Sequence, residues 1–210
     1  LDLSERTGGA LDPTLYPVVR LWGFTTGDYR VPTDEEIARA RSRVGAEHVL
    51  IDGDAVTLTG GAMLDFGAVA KGFAAQECAD ALSAAGVTAA LLSFGGNVQT
   101  VGSKPDGTPW RIGIADPAGS GTAATLSLTG SCAVVTSGGY QRYFEENGVR
   151  YCHIFDPASG APAQSGLASV TIVAQDGLLA DGLSTALYVM GLDAAAGFWR
   201  DSDDFEAVFI

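Results

Sequence analysis

Three observations predict an α+β fold, with mixed or antiparallel sheets flanked by helices. Strands come in pairs across short turns, as at residues 48–52 and 55–59 around Gly53-Asp54. Three or four helices are interspersed without strict strand-helix alternation, which argues against a doubly wound parallel sheet. The chain has 210 residues, 47% hydrophobic and 18% charged, enough for one substantial core and short for two independent domains, so one domain over 1–210 is expected.

Residues 1–6 read as the tail of a helix stopped by Thr7-Gly8-Gly9. Leu11-Asp12-Pro13-Thr14 is a turn, followed by a short apolar segment and the aromatic-glycine loop Trp22-Gly23-Phe24. Its two rings are either ordinary core or a flat face for a planar ring. Thr33, with Glu36 three residues later, is a capping box that starts a helix reaching about Val44. His48 stands at the mouth of the hairpin and is expected to be exposed. At 64–73 an apolar entry breaks at Gly67 and opens into an alanine-rich helix. That helix runs to Ala85 and stops at Gly86, with Val69, Phe73 and Leu82 as apolar anchors.

Residues 88–93 form a short buried strand that ends in Phe94-Gly95-Gly96-Asn97, either a tight connection or a place where backbone approaches a ligand. Residues 110–115 and 125–129 alternate as strands around a surface loop at 116–121. A strand at 131–135 delivers Thr136-Ser137-Gly138-Gly139-Tyr140, and another at 151–155 closes in the turn Asp156-Pro157-Ala158-Ser159-Gly160. After a strand at 170–174, Gln175-Asp176-Gly177 starts a helix that ends at Met190 before Gly191. A helix at 193–200 and a strand at 205–210 complete the chain.

Charge restricts the partners. There are 25 acidic against 12 basic residues, a formal net charge of −13, so nucleic acid and anionic membranes are repelled on average. A polyanionic ligand must be held locally, by a helix N-terminus or a divalent cation. Lys71, one of two lysines, lies in the first turns of its helix, where free N–H groups favour anions. The stretch is not a Walker A loop, because Gly72 follows the lysine where Ser or Thr is needed. Ser137 and Gly138 lie in a cradle of hydroxyls and glycines at a strand end. Asp181 and Thr185, four apart, share a helix face and present hard oxygens that suit Mg²⁺ or Ca²⁺. His153 is the histidine placed next to other candidate chemistry, either a structural hydrogen-bonded residue or a catalyst. Cys78, Cys132 and Cys152 show no metal-ligand spacing, and their odd number argues against a complete disulfide framework. No transmembrane run or signal peptide is seen; the first residue is Leu1, so a processed N-terminus would look the same.

In order, Gly8-Gly9-Ala10-Leu11-Asp12-Pro13-Thr14, Leu21-Trp22-Gly23-Phe24, residues 64–72, Gly95-Gly96-Asn97, residues 136–140, His153-Ile154-Phe155-Asp156-Pro157 with Gly160, and residues 180–186 together resemble the ApbE family of FAD:protein FMN transferases. The resemblance covers nearly the whole chain. It implies an α+β fold and Mg²⁺-dependent transfer of FMN from FAD to a threonine hydroxyl of a target flavoprotein, with AMP leaving. It implies FAD contacts at Trp22, Gly23, Phe24, Asp65, Lys71, Ser137, Gly138 and Ile154. The Mg²⁺ ligands it implies are the Ala68 carbonyl, Asp181 and Thr185, with Ser184 nearby. Attack by a neutral hydroxyl benefits from a base, for which His153 or Asp65 is available; the unperturbed pKa of histidine favours His153.

By the same resemblance the protein is extracytoplasmic, commonly lipid-anchored, and meets a membrane only through that anchor. The family domain would also carry a further N-terminal segment with FAD contacts and would continue past Ile210. Two other readings use the same pocket: an FAD-binding protein without transfer activity, and a Mg²⁺-dependent pyrophosphatase that gives FMN and AMP. The resemblance sets Asp65, Ala68 and Lys71 on one wall of the site and Asp181 with Thr185 on the other, so the two helix starts must face each other across one pocket.

Overall fold

The computed structural model describes residues 1–210. Helix α1 (Asp2–Arg6) stops at Thr7, and Gly8 and Gly9 leave it at φ 61° and 82°, the left-handed exit that glycine tolerates. The apolar segment expected next is helix α2 (Tyr16–Leu21), with Pro17 in its first turn, where a missing N–H removes no helical bond. Helix α3 (Asp34–Arg41) carries the expected capping box between Thr33 and Glu36 and ends short of Val44. Arg30 grips Glu36 through two bonds of 2.9 Å and, with the Thr33 contacts, holds its carboxyl down to about 2. Strands β1 (Val49–Asp52) and β2 (Ala55–Leu58) form the expected antiparallel hairpin.

Helix α4 (Ala70–Ala84) buries Gly72, Ala75 and Ala79, whereas Phe73, expected as an anchor, is 52% exposed. Small residues, not large ones, face inward. Strands β3 (Ala90–Phe94) and β4 (Asn97–Val101) pair through Gly95-Gly96, so the glycines are a hairpin turn. β4 was not expected from the sequence, because its buried residues include the polar Asn97, Gln99 and Thr100. Strands β5 (Trp110–Ala115) and β6 (Thr122–Leu128) follow as a second hairpin. Strand β7 (Ala133–Gly138) runs through Thr136 and Ser137, which are therefore strand residues and not a loop after one.

Strands β8 (Tyr143–Glu146) and β9 (Val149–Cys152) turn at Asn147-Gly148, where Asn147 has φ 52°. The single strand expected at 151–155 is thus divided: β9 ends at Cys152, and β10 (Phe155–Asp156) pairs with β11 (Ala161–Pro162). Strand β12 (Ser169–Ala174), helix α5 (Gly177–Met190), helix α6 (Leu192–Arg200) and strand β13 (Phe205–Phe209) follow expectation closely. No helix is long and apolar enough to cross a membrane.

The chain packs as two compact units, one of Leu1–Phe66 with Gly139–Gln164, the other of Gly67–Gly138 with Ser165–Ile210. In the first, Val18, Trp22, Phe24 and Phe155 form a core joined by Phe144 and Tyr151. In the second, one antiparallel sheet has the order β13-β12-β7-β4-β3. Helix α4 packs on β3 and β4, and α5 on β7 and β12. The architecture is α+β, as predicted.

Within the second unit the starts of α4 and α5 touch backbone to backbone. A Cβ on Gly72 would collide with the Gly177 carbonyl and sit 2.6 Å from Asp181 Cβ. Only glycine fits. Gly72→Ala is therefore expected to cost at least about 2 kcal/mol of unfolding free energy, the scale of an overpacked core. Denaturant unfolding of both proteins measures this, and an unchanged midpoint would show that the crossing is looser than described.

Candidate functional site

The first backbone N–H groups of helix α4 have no partner within the helix, and Val69 supplies no side-chain cap. Its cap comes from α5. Asp181 Oδ2 accepts the Gly72 N–H at 2.8 Å, which sets a carboxylate against the positive end of α4. A continuing helix would give that N–H to the Ala68 carbonyl, so Ala68, in the turn before α4, keeps its oxygen outside the helical ladder. The other oxygen of Asp181, Oδ1, lies 3.8 Å from Lys71 Nζ, and the aspartate side chain is 4% exposed.

One turn further along α5 a chain of hydroxyls has a definite direction. Ser184 Oγ donates to the Asp181 carbonyl at 2.8 Å. Its one proton is then used, so Ser137 Oγ must donate to Ser184 across 2.8 Å. Ser137 has no further proton, and Thr185 Oγ1 must donate to it across 3.1 Å. Thr185 Oγ1 is left with acceptor capacity alone. Asp181 Oδ1 and Thr185 Oγ1 are thus two hard oxygen acceptors four residues apart on one helix.

No group of three or more His, Cys, Asp and Glu residues is arranged to hold a metal. A cation at α5 would draw on one carboxylate, a hydroxyl, a backbone carbonyl such as that of Ala68, and oxygens from a ligand. That donor set fits Mg²⁺, which is commonly held by one or two carboxylates together with phosphates and water.

Two glutamines, which the sequence reading missed, lock this geometry. Gln76 on α4 accepts the Gly177 N–H at the start of α5 at 3.0 Å. The same oxygen takes a bond of 3.3 Å from Gln99 Nε2 on β4. Gln76 therefore ties α5 to α4 one turn from the Gly72 contact. A glutamine on a helix face otherwise lined by alanine was the available signal.

Gly138 ends β7 in the second unit, and the first unit holds the other candidates. Trp22 and Phe24 are 2% and 1% exposed, their rings packed at 5.9 and 5.5 Å from that of Phe155. Trp22 Nε1 donates to Gly160 O at 3.0 Å, and the Arg142 guanidinium donates to Phe24 O. These two aromatics are core. The accessible ring beside them is Tyr29, also missed, which stacks on Phe144 at 5.3 Å. Gly23 turns at φ 85°, where a Cβ would collide with the Asp28 carbonyl. Ile154 is buried and accepts Ala163 N–H at 2.8 Å. Asp65 is half-buried, and its N–H donates to Pro13 O at 2.7 Å.

His153 is half-buried, with Nδ1 3.1 Å from Arg142 O. A carbonyl only accepts, so Nδ1 carries the proton in the neutral ring and Nε2 is its basic nitrogen. Of the expected site residues, Ala68, Lys71, Ser137, Gly138, Asp181 and Thr185 belong to the second unit. Trp22, Gly23, Phe24, Asp65, His153 and Ile154 belong to the first.

The capping role of Asp181 has a measurable signature. Asp181→Ala, studied in chelator, is expected to cost about 1–2 kcal/mol by uncapping α4, and Asp181→Asn less, because an amide oxygen still accepts the Gly72 N–H. Equal losses in the two variants would contradict the capping role.

The sequence profile of the ApbE family matches residues 1–209. An FAD:protein FMN transferase of Vibrio cholerae is 39% identical over 193 residues, covering 90% of this chain and 58% of its own length. Another, of Treponema pallidum, is 35% identical over 232 residues, covering 100% of this chain and 63% of its own. The chain thus spans about three fifths of the length of these curated relatives. Among solved structures, the ApbE protein of Thermotoga maritima has a TM-score of 0.92 at 38% identity, covering 100% of this chain and 69% of that one. The apo flavinyl transferase ApbE of Pseudomonas stutzeri has a TM-score of 0.85 at 39% identity, covering 99% and 69%. With the motifs in order, the sequence match end to end and the fold reproduced, the chain belongs to the ApbE family.

Proposed function

We propose that this chain is an FAD:protein FMN transferase that moves FMN from FAD to a threonine hydroxyl of a target flavoprotein, using Mg²⁺. One observation carries the reading: Asp181 Oδ1, beside the N-terminus of α4, and Thr185 Oγ1, one turn further along α5, are both left as hard oxygen acceptors in a chain of this family. The relatives named above are named FAD:protein FMN transferases, which supports transfer of FMN from FAD to a protein. The net charge of −13 requires a local device to hold a dinucleotide diphosphate, and a cation beside a helix N-terminus is such a device.

In the reaction the threonine Oγ attacks the phosphorus of the FMN half. A new P–O bond forms, the bond to the AMP oxygen breaks with its electron pair, and the threonine proton passes to a base. A bound divalent cation would supply charge withdrawal from the diphosphate and stabilisation of the departing AMP. Asp181 would supply the negative charge that holds it, and the hydroxyl chain through Ser137 fixes the rotamer of Thr185. Lys71 and the α4 N–H groups favour the phosphate oxygens electrostatically. By the family resemblance Ser137, Gly138, Gly23 and Asp65 contribute to the FAD contacts, whereas Trp22, Phe24 and Ile154 are buried and serve the core of the first unit. His153 takes the threonine proton at Nε2, in preference to Asp65, because histidine titrates near neutral pH. By family resemblance the protein works outside the cytoplasm, held at the membrane by a lipid anchor.

Incubation with FAD, Mg²⁺ and a threonine-bearing target peptide tests the proposal. A covalent FMN adduct with release of AMP is expected. Free FMN with AMP would make the chain a pyrophosphatase, and unchanged bound FAD would make it a binder. His153→Ala is expected to keep FAD binding and lower transfer by roughly 10²–10⁴, the usual worth of a positioned base. Full transfer by that variant would remove His153 from the role.

A further inference from the structure

We infer that Lys71 is the resident counter-ion of Asp181 and surrenders the carboxylate when a divalent cation binds, so that the two positive charges alternate at one oxygen. The inference rests on the cation part of the proposed function.

Asp181 is buried, and a buried carboxylate needs compensation. Its two oxygens are treated differently. Oδ2 is fixed by the Gly72 N–H at 2.8 Å, in a helix crossing that admits no Cβ. Oδ1 faces the Lys71 ammonium at 3.8 Å, longer than a direct charge-assisted hydrogen bond. It is the oxygen left for a cation.

The two partners differ in mobility. Asp181 is held by its helix and by Gly72. The Lys71 side chain is 46% exposed, and its flexible stem passes 3.7 Å from where a Cβ on Gly95 would stand. The lysine can leave without opening a cavity. A divalent cation coordinated by Oδ1 would lie within a few ångströms of the ammonium, and like charges so close repel strongly at a partly buried site. One therefore displaces the other. The displaced ammonium remains beside the N-terminus of α4, available to a phosphate oxygen of FAD, the ligand that the family resemblance has Lys71 contact.

The test is the affinity for Mn²⁺, used as the probe cation without flavin and followed by the electron paramagnetic resonance of the free ion. Lys71→Met removes the competitor and is expected to tighten Mn²⁺ binding by about tenfold or more, the scale of one charge interaction at such a site. Lys71→Arg keeps the charge and is expected to stay within about threefold of wild type. Without metal, Lys71→Met should melt lower than wild type, and Mn²⁺ should raise its melting temperature more. If Lys71→Met does not fold, Lys71→Gln is read by the same criteria.

Equal or weaker Mn²⁺ binding in the neutral variant overturns the inference. If wild type transfers FMN and the neutral variant binds Mn²⁺ no more tightly, only the exchange falls. If the neutral variant binds more tightly but wild type transfers nothing, the exchange stands and the transferase reading falls. Absence of Mn²⁺ binding to wild type removes both the exchange and the cation.

Discussion

The bond from the Gly72 N–H to the Asp181 carboxylate is the contact on which the second unit and its chemistry depend. It satisfies an orphan donor of α4 and offsets the burial of a negative charge, and it fixes where that charge sits. It exists because glycine at 72 and 177 lets two helix starts meet at backbone distance. The carboxylate is thereby set in place by backbone, which does not change rotamer.

Gln76 and the serine-threonine chain extend the same logic outward. Gln76 uses one oxygen to join the start of α5 to β4. The directed relay from Thr185 through Ser137 and Ser184 ends on the carbonyl of Asp181 itself. Each member has its proton assigned, so the acceptors that remain are defined before any ligand arrives. Such preorganisation suits electrostatic catalysis, in which charge must be in position before it develops on the substrate.

Features written in local chemistry were legible in the sequence. The Asp176 cap and the Gly191 stop bound α5, the capping box marks α3, and Gly53-Asp54 marks the first hairpin. What depended on tertiary contacts was not. β4 escaped because Gln99 and Thr100 look like surface residues, yet both are buried and bonded, Thr100 to the Gly130 and Cys132 carbonyls. α2 was hidden by Pro17, whose first-turn role depends on where the helix begins. Residue types alone left Trp22 and Phe24 open between core and ligand face, and packing placed them in the core. The site was legible as motifs but not as a mechanism. Asp181 and Lys71 were each singled out, whereas the bond that joins residues 72 and 181 lies 109 positions apart in the chain and has no local signature.

This carboxylate, with Thr185, is the cation-holding element in the function proposed for the chain. Crystals grown with Mn²⁺ and FAD, measured for anomalous scattering at the manganese edge, test it most directly. The account expects one strong peak in direct contact with Asp181 Oδ1 and Thr185 Oγ1, with Gly72 still donating to Oδ2. A manganese peak bound elsewhere, with Asp181 still facing Lys71, would contradict it.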